Sequence, residues 1–113
     1  MDRNHEYRSI IRNVLEDYYR LYNRSENPNL ETFILCDESQ DQYILMRLGW
    51  EHDRRVNRAV IHLRLQNEKI WIEEDWTEEG VATDFLAAGV PHDAIVLSFQ
   101  PPHLRQHTEF ATV

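Results

Sequence analysis

The chain has 113 residues, of which 42% are hydrophobic and 28% charged, which is typical of one globular domain spanning residues 1–113. Its formal net charge of −8 disfavours phosphate-rich partners, because binding to nucleic acid or anionic lipid depends on clustered Lys and Arg. No apolar stretch approaches the roughly 20 residues that cross a bilayer, and the N-terminus lacks the apolar core of a signal peptide, so we expect a cytoplasmic protein.

The first predicted element is a long amphipathic helix. Apolar residues recur at spacings of three and four from Tyr7 to Tyr22, which places them on one face of a helix. Glu16 and Arg20 can form an ion pair on the opposite face. Asn, Ser and Pro residues in the stretch 23–29 then predict a loop.

Four strands are predicted next, each bounded by polar turn residues. They run over Thr32 to Cys36, Gln42 to Trp50, about Arg55 to Gln66, and Lys69 to Glu74. Cys36 is the only cysteine, so it cannot form an internal disulfide, and its apolar surroundings predict a small buried side chain without a catalytic role.

The register of these strands predicts which side chains share a face, because side chains alternate along a strand. A two-residue turn at Asn67–Glu68 places Leu65 beside Ile70 and Leu63 beside Ile72. The same alternation places Ile61 beside Glu74, His62 across from Glu73, and Arg64 across from Trp71.

The connection from strand two to strand three runs from Glu51 to Arg54 in this scheme, which pairs Trp50 with Arg55 and Met46 with Ala59. The predicted inner face therefore holds Ile44, Met46, Leu48, Trp50, Ile61, Leu63, Leu65, Ile70 and Ile72. The predicted outer face holds Tyr43, Leu45, Arg47, Arg58, Val60, His62, Arg64, Trp71 and Glu73. We expect a helix or the C-terminal segment of the same chain to cover that outer face, although a partner is the alternative.

A second helix is predicted after strand four, with Thr77 as its cap and Gly89 and Pro91 at its end. Ile95 to Phe99 is predicted as a short strand or extended core segment. The tail from His103 to Val113 is expected to pack through two apolar side chains, Leu104 and Phe110. Together these elements predict an α+β fold: an antiparallel β-meander of four to five strands, a long N-terminal helix and a second helix after strand four.

Candidate chemistry is sparse, so we expect no enzymatic activity, no cofactor and no metal. His103 and His107 with Glu109 form too small a ligand set for a zinc site. His62 near Glu73 resembles a base with its orienting acid, but no Ser or Cys nucleophile accompanies the pair. The carboxylates of 73–75 and 78–79 do not match a calcium loop, and no glycine pattern suggests a nucleotide site.

Strand three is locally basic and supports an alternative function. Arg54, Arg55, Arg58 and Arg64 form an Arg54–Arg64 stripe that could bind DNA despite the acidic net charge, but neighbouring acids dilute it. A direct DNA-binding factor is therefore the second hypothesis. A hydrolase that uses His62 or the C-terminal histidines is the third.

Several segments, taken in order, resemble the XisI family, the controlling factors associated with excision of the fdxN element in filamentous cyanobacteria. The resemblance covers most of the chain. It rests on Tyr7–Ile11, Asp37, Asp41, Tyr43, Gly49–Trp50, Ile61–His62, Lys69–Ile72, Thr77–Glu78, Gly89–Pro91, Ile95–Leu97, Phe99, Pro102, Arg105 and Thr108–Ala111. Ser98 and His107 depart from the pattern, where Gly and Tyr are usual.

The resemblance implies a non-catalytic accessory factor that works alongside an XisH-like protein and a separate site-specific recombinase. We expect weak DNA binding by the chain alone, and homo-oligomer formation stays open. The predicted partner-binding residues are Tyr43, His62, Arg64 and Trp71, because Trp, Tyr and Arg are the types that most often anchor interfaces.

Overall fold

The computed structural model describes residues 3–24 and 27–113, so part of the predicted 23–29 loop lies outside the described residues. Its elements follow the order predicted from the sequence. They are α1 (Arg3–Asn23), β1 (Leu30–Asp37), β2 (Gln42–Glu51), β3 (Arg54–Gln66), β4 (Lys69–Asp75), α2 (Val81–Ala87), a 3-10 turn (His92–Ala94), β5 (Ile95–Leu97) and α3 (Pro102–Arg105). The predicted α+β class, with its long N-terminal helix, is confirmed.

The five strands form one sheet in the order β1-β2-β3-β4-β5. The first four are antiparallel neighbours in a meander, whereas β5 pairs with β4 in parallel. A parallel neighbour requires a crossover, and α2 supplies it. The β3–β4 turn has Asn67 and Glu68 at φ 55° and 58°, the left-handed pair of a type I′ turn, so the predicted two-residue turn is confirmed.

The hydrophobic core lies on one side of the sheet, between the strands and both longer helices. The apolar stripe of α1 is buried against the sheet through Tyr7, Ile11, Val14 and Leu15. Helix α2 joins the same cluster through Val81 and Phe85. The strands contribute Tyr43, Leu45, Val60, Ile61, Leu63, Leu65, Ile70 and Ile72. Both helices therefore cover the same face, which we call the helix side.

The predicted faces of β2 are wrong, although the predicted pairings at its hairpin end are confirmed. Trp50 pairs with Arg55 and Met46 pairs with Ala59, as expected. The residue before Met46, Leu45, pairs with Ile61 instead of Val60, so Val60 is an extra residue in β3. Such a bulge brings two consecutive side chains to one face and shifts the register beyond it.

This bulge explains which predicted core residues are misplaced. Leu63 and Ile72 are buried on the helix side, as predicted. Tyr43 and Leu45, predicted to face outward, are also fully buried there. Met46 alternates with Leu45 and therefore lies on the opposite face, together with Ile44, Leu48 and Trp50.

A second bulge, between His62 and Leu63, changes the predicted pairs with β4. Ile61 pairs with Asp75, and His62 pairs with Glu74, so the predicted Ile61–Glu74 and His62–Glu73 pairs are wrong. Beyond the bulge, Leu63–Ile72, Arg64–Trp71 and Leu65–Ile70 are confirmed. The extra residue of this bulge is Glu73 in β4. It turns the Asp75 carboxylate to the helix side, at the start of the crossover.

Asp75 performs the capping role that the sequence assigned to Thr77. Its Oδ2 accepts a hydrogen bond of 2.7 Å from the Val81 amide, at the first residue of α2. Its Oδ1 accepts bonds from the amide and hydroxyl of Thr77 at 3.0 and 2.6 Å. The helix therefore begins later than predicted, while its predicted end at Gly89, with φ 96°, is confirmed.

Two side chains expected to be buried are exposed. Cys36 lies in β1, which is an edge strand with a neighbour on one side only, so its thiol is exposed. Leu104 is 41% exposed, and no residue of its short helix α3 is buried. Phe110 does pack against the core cluster, and its ring stacks on His92.

One polar cluster ties α1 to the β1–β2 connection. The Arg8 guanidinium donates to both carboxylate oxygens of Asp41, at 2.8 and 3.1 Å. The Tyr43 hydroxyl donates to the same carboxylate at 2.8 Å, and burial raises the pKa of Tyr43 to about 12. The bonds from Arg8 hold the pKa of Asp41 below its ordinary value of 3.8. Tyr43 is thus a core residue with a polar anchor.

We predict that Tyr43→Phe destabilises the fold without altering the surface. The substitution keeps the buried ring but removes a hydrogen bond to a charged carboxylate, a loss of about 1.5 kcal/mol. Urea unfolding at neutral pH measures the change. A Tyr43→Phe variant that is as stable as the parent would show that the hydroxyl contributes nothing to the fold.

We also predict that Asp41 makes stability sensitive to acid. A carboxyl whose folded-state pKa is lowered stabilises the fold above its ordinary pKa, and this contribution is lost as the pH falls through the folded-state pKa. Stability from neutral pH to about pH 2 should therefore fall more steeply in the parent than in Asp41→Asn. The control is Asp53→Asn, which changes an exposed residue in the β2–β3 turn and should keep the parent's slope.

Candidate partner-binding surface

The face of the sheet opposite the helix side, which we call the outer sheet face, is covered by neither α1 nor α2. It carries an unusual proportion of apolar side chains for a surface. They are Phe33, Leu35, Ile44, Met46, Leu48, Trp50, Ala59 and Trp71. Leu35 and Trp50 are each 49% exposed, and the others are half-buried by their neighbours in the sheet. Exposed apolar side chains that lie close together are typical of binding surfaces.

Trp71 and Arg64 lie side by side on this face, as the register predicted. The indole Nε1 of Trp71 donates to the Gln66 carbonyl at 3.0 Å, which fixes the ring across the end of β3. Arg64 donates to the Gln66 side chain at 2.9 Å and lies 3.7 Å from the Glu73 carboxylate. Both side chains are therefore held in place while remaining partly exposed.

The Glu73 carboxylate has spare hydrogen-bonding capacity. Its Oε2 is buried and accepts no hydrogen bond from residues 3–24 and 27–113, since the Arg64 contact of 3.7 Å is too long for one. Because this atom is buried, the Glu73 side chain has to rearrange before it can accept a hydrogen bond from a partner.

His62 occupies the centre of the outer sheet face, between β2 and β4. Its Nε2 lies 2.8 Å from the side-chain oxygen of Gln42. Burial lowers the pKa of His62 below its ordinary value of 6.5, an effect that outweighs the opposing charge of Glu73. The ring is therefore neutral at physiological pH and contributes a hydrogen bond instead of a charge.

Three of the four predicted binding residues, His62, Arg64 and Trp71, are thus brought onto one surface. The placement of Tyr43 is wrong, because the Val60 bulge turns it to the helix side, where it is fully buried. The apolar part of the surface in β1 and β2 was not predicted from the sequence. The available signal was the unbroken apolar run Tyr43–Met46, which predicts a strand with apolar side chains on both faces.

The Arg54–Arg64 stripe is divided between the two faces of the sheet. Arg55 lies on the outer side over the Trp50 ring, whereas Arg58 lies on the helix side over the Trp76 ring. Arg54 is paired with Glu51 at 2.7 Å. The arginines therefore do not form one continuous basic surface.

The C-terminal histidines are not assembled into a ligand cluster. Glu109 lies 3.5 Å from His92 instead of joining His103 and His107. No group of three or more potential metal ligands occurs within the described ranges 3–24 and 27–113. In the same ranges, no helix has the length and apolar character to cross a membrane.

Comparisons with known proteins agree with this architecture. The sequence profile of the family described as XisI protein matches residues 1–112. The crystal structure of the fdxN element excision controlling factor XisI from Anabaena variabilis ATCC 29413 is 36% identical, with a TM-score of 0.84 over 99% of this chain and 100% of that one. A XisI-like protein from the same organism is 27% identical, with a TM-score of 0.88 over 97% and 99% of the two chains. A search of curated proteins returned no match. The chain belongs to the XisI family.

Proposed function

We propose that this chain is a non-catalytic excision controlling factor that acts by binding a protein partner, an XisH-like protein, through the outer sheet face. The observation that carries the proposal is the position of Trp71 and Arg64, which are held in fixed orientations on a sheet face that neither long helix covers. The solved structure at 36% identity is described as an excision controlling factor, which gives the process in which the partner would act.

The chemistry of the outer sheet face favours a protein over a phosphate-rich ligand. Its centre is apolar, with Ile44, Met46 and Trp71, and the polar groups next to that centre include a neutral His62 and an arginine beside a carboxylate. Such a surface buries apolar area and exchanges a few hydrogen bonds, as protein interfaces do. A polyanion would instead require several unpaired cations.

The absence of catalysis is part of the proposal and rests on how the polar groups are used. His62 contacts Gln42, an amide that does not act as an orienting acid. The carboxylates with the most contacts, Asp41 and Asp75, join elements of the fold through Arg8 and the α2 amide. Each of these groups has a structural partner, and the hydroxyls that these two carboxylates contact, of Thr77 and Tyr43, act as hydrogen-bond donors within the fold.

We predict that Trp71→Ala weakens binding to an XisH-like protein by about 2 kcal/mol or more, roughly 30-fold in affinity. The indole supplies the largest rigid apolar contact among the fixed side chains of this face. Titration of purified partner against each variant by calorimetry measures the effect. Thermal melts of the same samples show whether the fold is intact.

The matched control is Trp76→Ala, which removes a more exposed indole, 60% exposed, that stacks on Arg58 just beyond the end of β4. It should leave affinity for the partner unchanged. Equal losses for both variants, or an unchanged affinity of Trp71→Ala, would remove the outer sheet face from the proposed site.

Direct DNA binding is the second candidate and should be weak. The division of the arginines between two faces and the net charge of −8 predict a dissociation constant no tighter than about 10⁻⁶ M at physiological salt. Fluorescence anisotropy with duplex DNA measures it. Tighter, sequence-dependent binding that is lost in Arg58→Glu would support the DNA-binding alternative.

A further inference from the structure

The two edges of the sheet are treated differently by the chain. The β5 edge is short and is closed by the tail, because Ala111 bridges to Val96 and its amide donates to the Ile95 carbonyl at 2.9 Å. Arg105 holds that tail through the carbonyls of Ser98 and Gln100. At the opposite edge, β1 pairs with β2 on one side, and on its other side no strand lies beside it among residues 3–24 and 27–113.

The direction of the free backbone groups of β1 follows from one hydrogen bond. The Trp50 amide donates to the Asn29 carbonyl at 2.9 Å, so Asn29 is a hydrogen-bonded partner of β2. Backbone groups alternate along an antiparallel pair. The amides and carbonyls of Thr32, Ile34 and Cys36 therefore point away from β2, and within the described residues none of them has a hydrogen-bond partner.

The sequence of β1 does nothing to block further pairing. Natural edge strands are commonly kept short or carry lysine, proline or a bulge. The strand Leu30–Asp37 has eight residues, pairs with β2 without a bulge, and contains neither lysine nor proline. Its Leu35 side chain is 49% exposed. A long edge of this kind, whose charged residues are Glu31 and Asp37 near its two ends, is a template for another strand.

We propose that the β1 edge pairs in antiparallel orientation with β1 of a second copy of this chain, which joins two sheets into one. A two-fold symmetric contact presents the same strand from both sides, so one self-complementary edge is sufficient to form a closed dimer. This inference is separate from the proposed function, because it rests on the backbone groups at the β1 edge and not on Trp71 and Arg64, which lie in β4 and β3.

Charge selects the register of this pairing. Two symmetric registers overlap most of the strand, one centred on Ile34 and one centred on Phe33. Centring on Ile34 places Glu31 opposite Asp37 of the second copy, and like charges directly opposite destabilise a sheet. Centring on Phe33 places Glu31 opposite Leu35 instead, so this register is the one proposed.

In the register centred on Phe33, the free backbone groups are matched. Thr32 of one copy exchanges both backbone hydrogen bonds with Ile34 of the second copy, and Leu30 lies opposite Cys36. The two Phe33 rings meet on the outer sheet face as a cross-strand aromatic pair, a favourable contact in sheets. The apolar side chains of the two outer faces then become continuous.

The net charge of −8 per copy opposes association at long range, whereas the contact itself is apolar and backbone-mediated. Added salt screens the long-range repulsion and leaves the contact intact. Dimerisation should therefore strengthen as ionic strength rises, which is the opposite of the trend for an association driven by charge attraction.

Sedimentation equilibrium of the full chain over a dilution series tests the proposal. The expected result is a species of about twice the 13.6 kDa chain mass, which dissociates on dilution and is favoured by salt. Phe33→Lys should raise the dissociation constant by at least about tenfold, because two ammonium groups then meet at the symmetry axis. Leu48→Lys is the matched control, since it places the same side chain on the outer face one strand further in.

A cross-link tests the register independently. Leu30→Cys places a thiol opposite the native Cys36 of the second copy, at the Cα spacing of about 5.5 Å that a disulfide tolerates. Mild oxidation should then give a covalent dimer, which Thr32→Cys and the parent should not form. Residues 30 and 36 are too far apart along one strand to join within a single copy.

A parent chain that sediments as a monomer at all concentrations and salt conditions would overturn the proposal. So would a Phe33→Lys variant that melts and associates as the parent does. A covalent dimer formed by Thr32→Cys in place of Leu30→Cys would show the other register and overturn the one proposed here. None of these measurements involves an XisH-like partner, so failure of the proposed function would not affect them.

Discussion

A five-stranded sheet has two faces, and the helices long enough to cover one, α1 and α2 within the described residues, both pack on the same side. The remaining architecture depends on this constraint. The long helix α1 supplies the apolar stripe, the crossover helix α2 extends it, and Tyr18 links the two through a 2.6 Å hydrogen bond to Asp84. Every strand must then present apolar side chains to one face, and the other face is left to solvent or to a partner except at β5, where Val96 beside Trp71 is fully buried.

The two bulges show how the chain satisfies that constraint. Without the extra residue at Val60, strict alternation would place either Val56 or Ile61 on the outer sheet face, whereas both are buried. The second bulge, next to Leu63, has a comparable effect on β4, since it turns Asp75 towards α2 while Ile72 remains in the core. The extra residues, Val60 in β3 and Glu73 in β4, therefore let each of these two strands serve the helix side at both of its ends.

The same bulges mark the limit of what the sequence could predict. Helix α1 and the four meander strands were predictable because their apolar spacing and turn residues are local signals. The face of β2 was not, because Tyr43–Met46 is apolar at every position and alternation cannot distinguish its two sides. The pairing Met46–Ala59 was predicted correctly, yet a bulge one residue away reversed its consequence. A bulge forms where the tertiary contacts that it allows are more stable than those of a regular strand, and the local sequence carries no signal for it.

The candidate site was partly predictable for a related reason. Arg64 and Trp71 lie between the tight Asn67–Glu68 turn and the second bulge, so the turn alone determined their register. His62 kept its predicted face because the extra residue of the second bulge, Glu73, lies in β4 and leaves the alternation along β3 unchanged there. Tyr43 lies beyond the Val60 bulge as counted from the β2–β3 turn, and it was lost from the site for that reason.

The two proposed surfaces are compatible with each other in space. Trp71 lies in β4, three strands away from the β1 edge. In a sheet joined through β1, the two Trp71 side chains would be separated by seven inter-strand spacings of about 4.8 Å, or roughly 34 Å. Two partners could therefore bind one dimer without touching the seam, which is the pairing of the two β1 strands around Phe33. An assembly built in this way would contain two copies of the chain and two of the partner, and loss of the seam would halve its valency while leaving each binding surface intact.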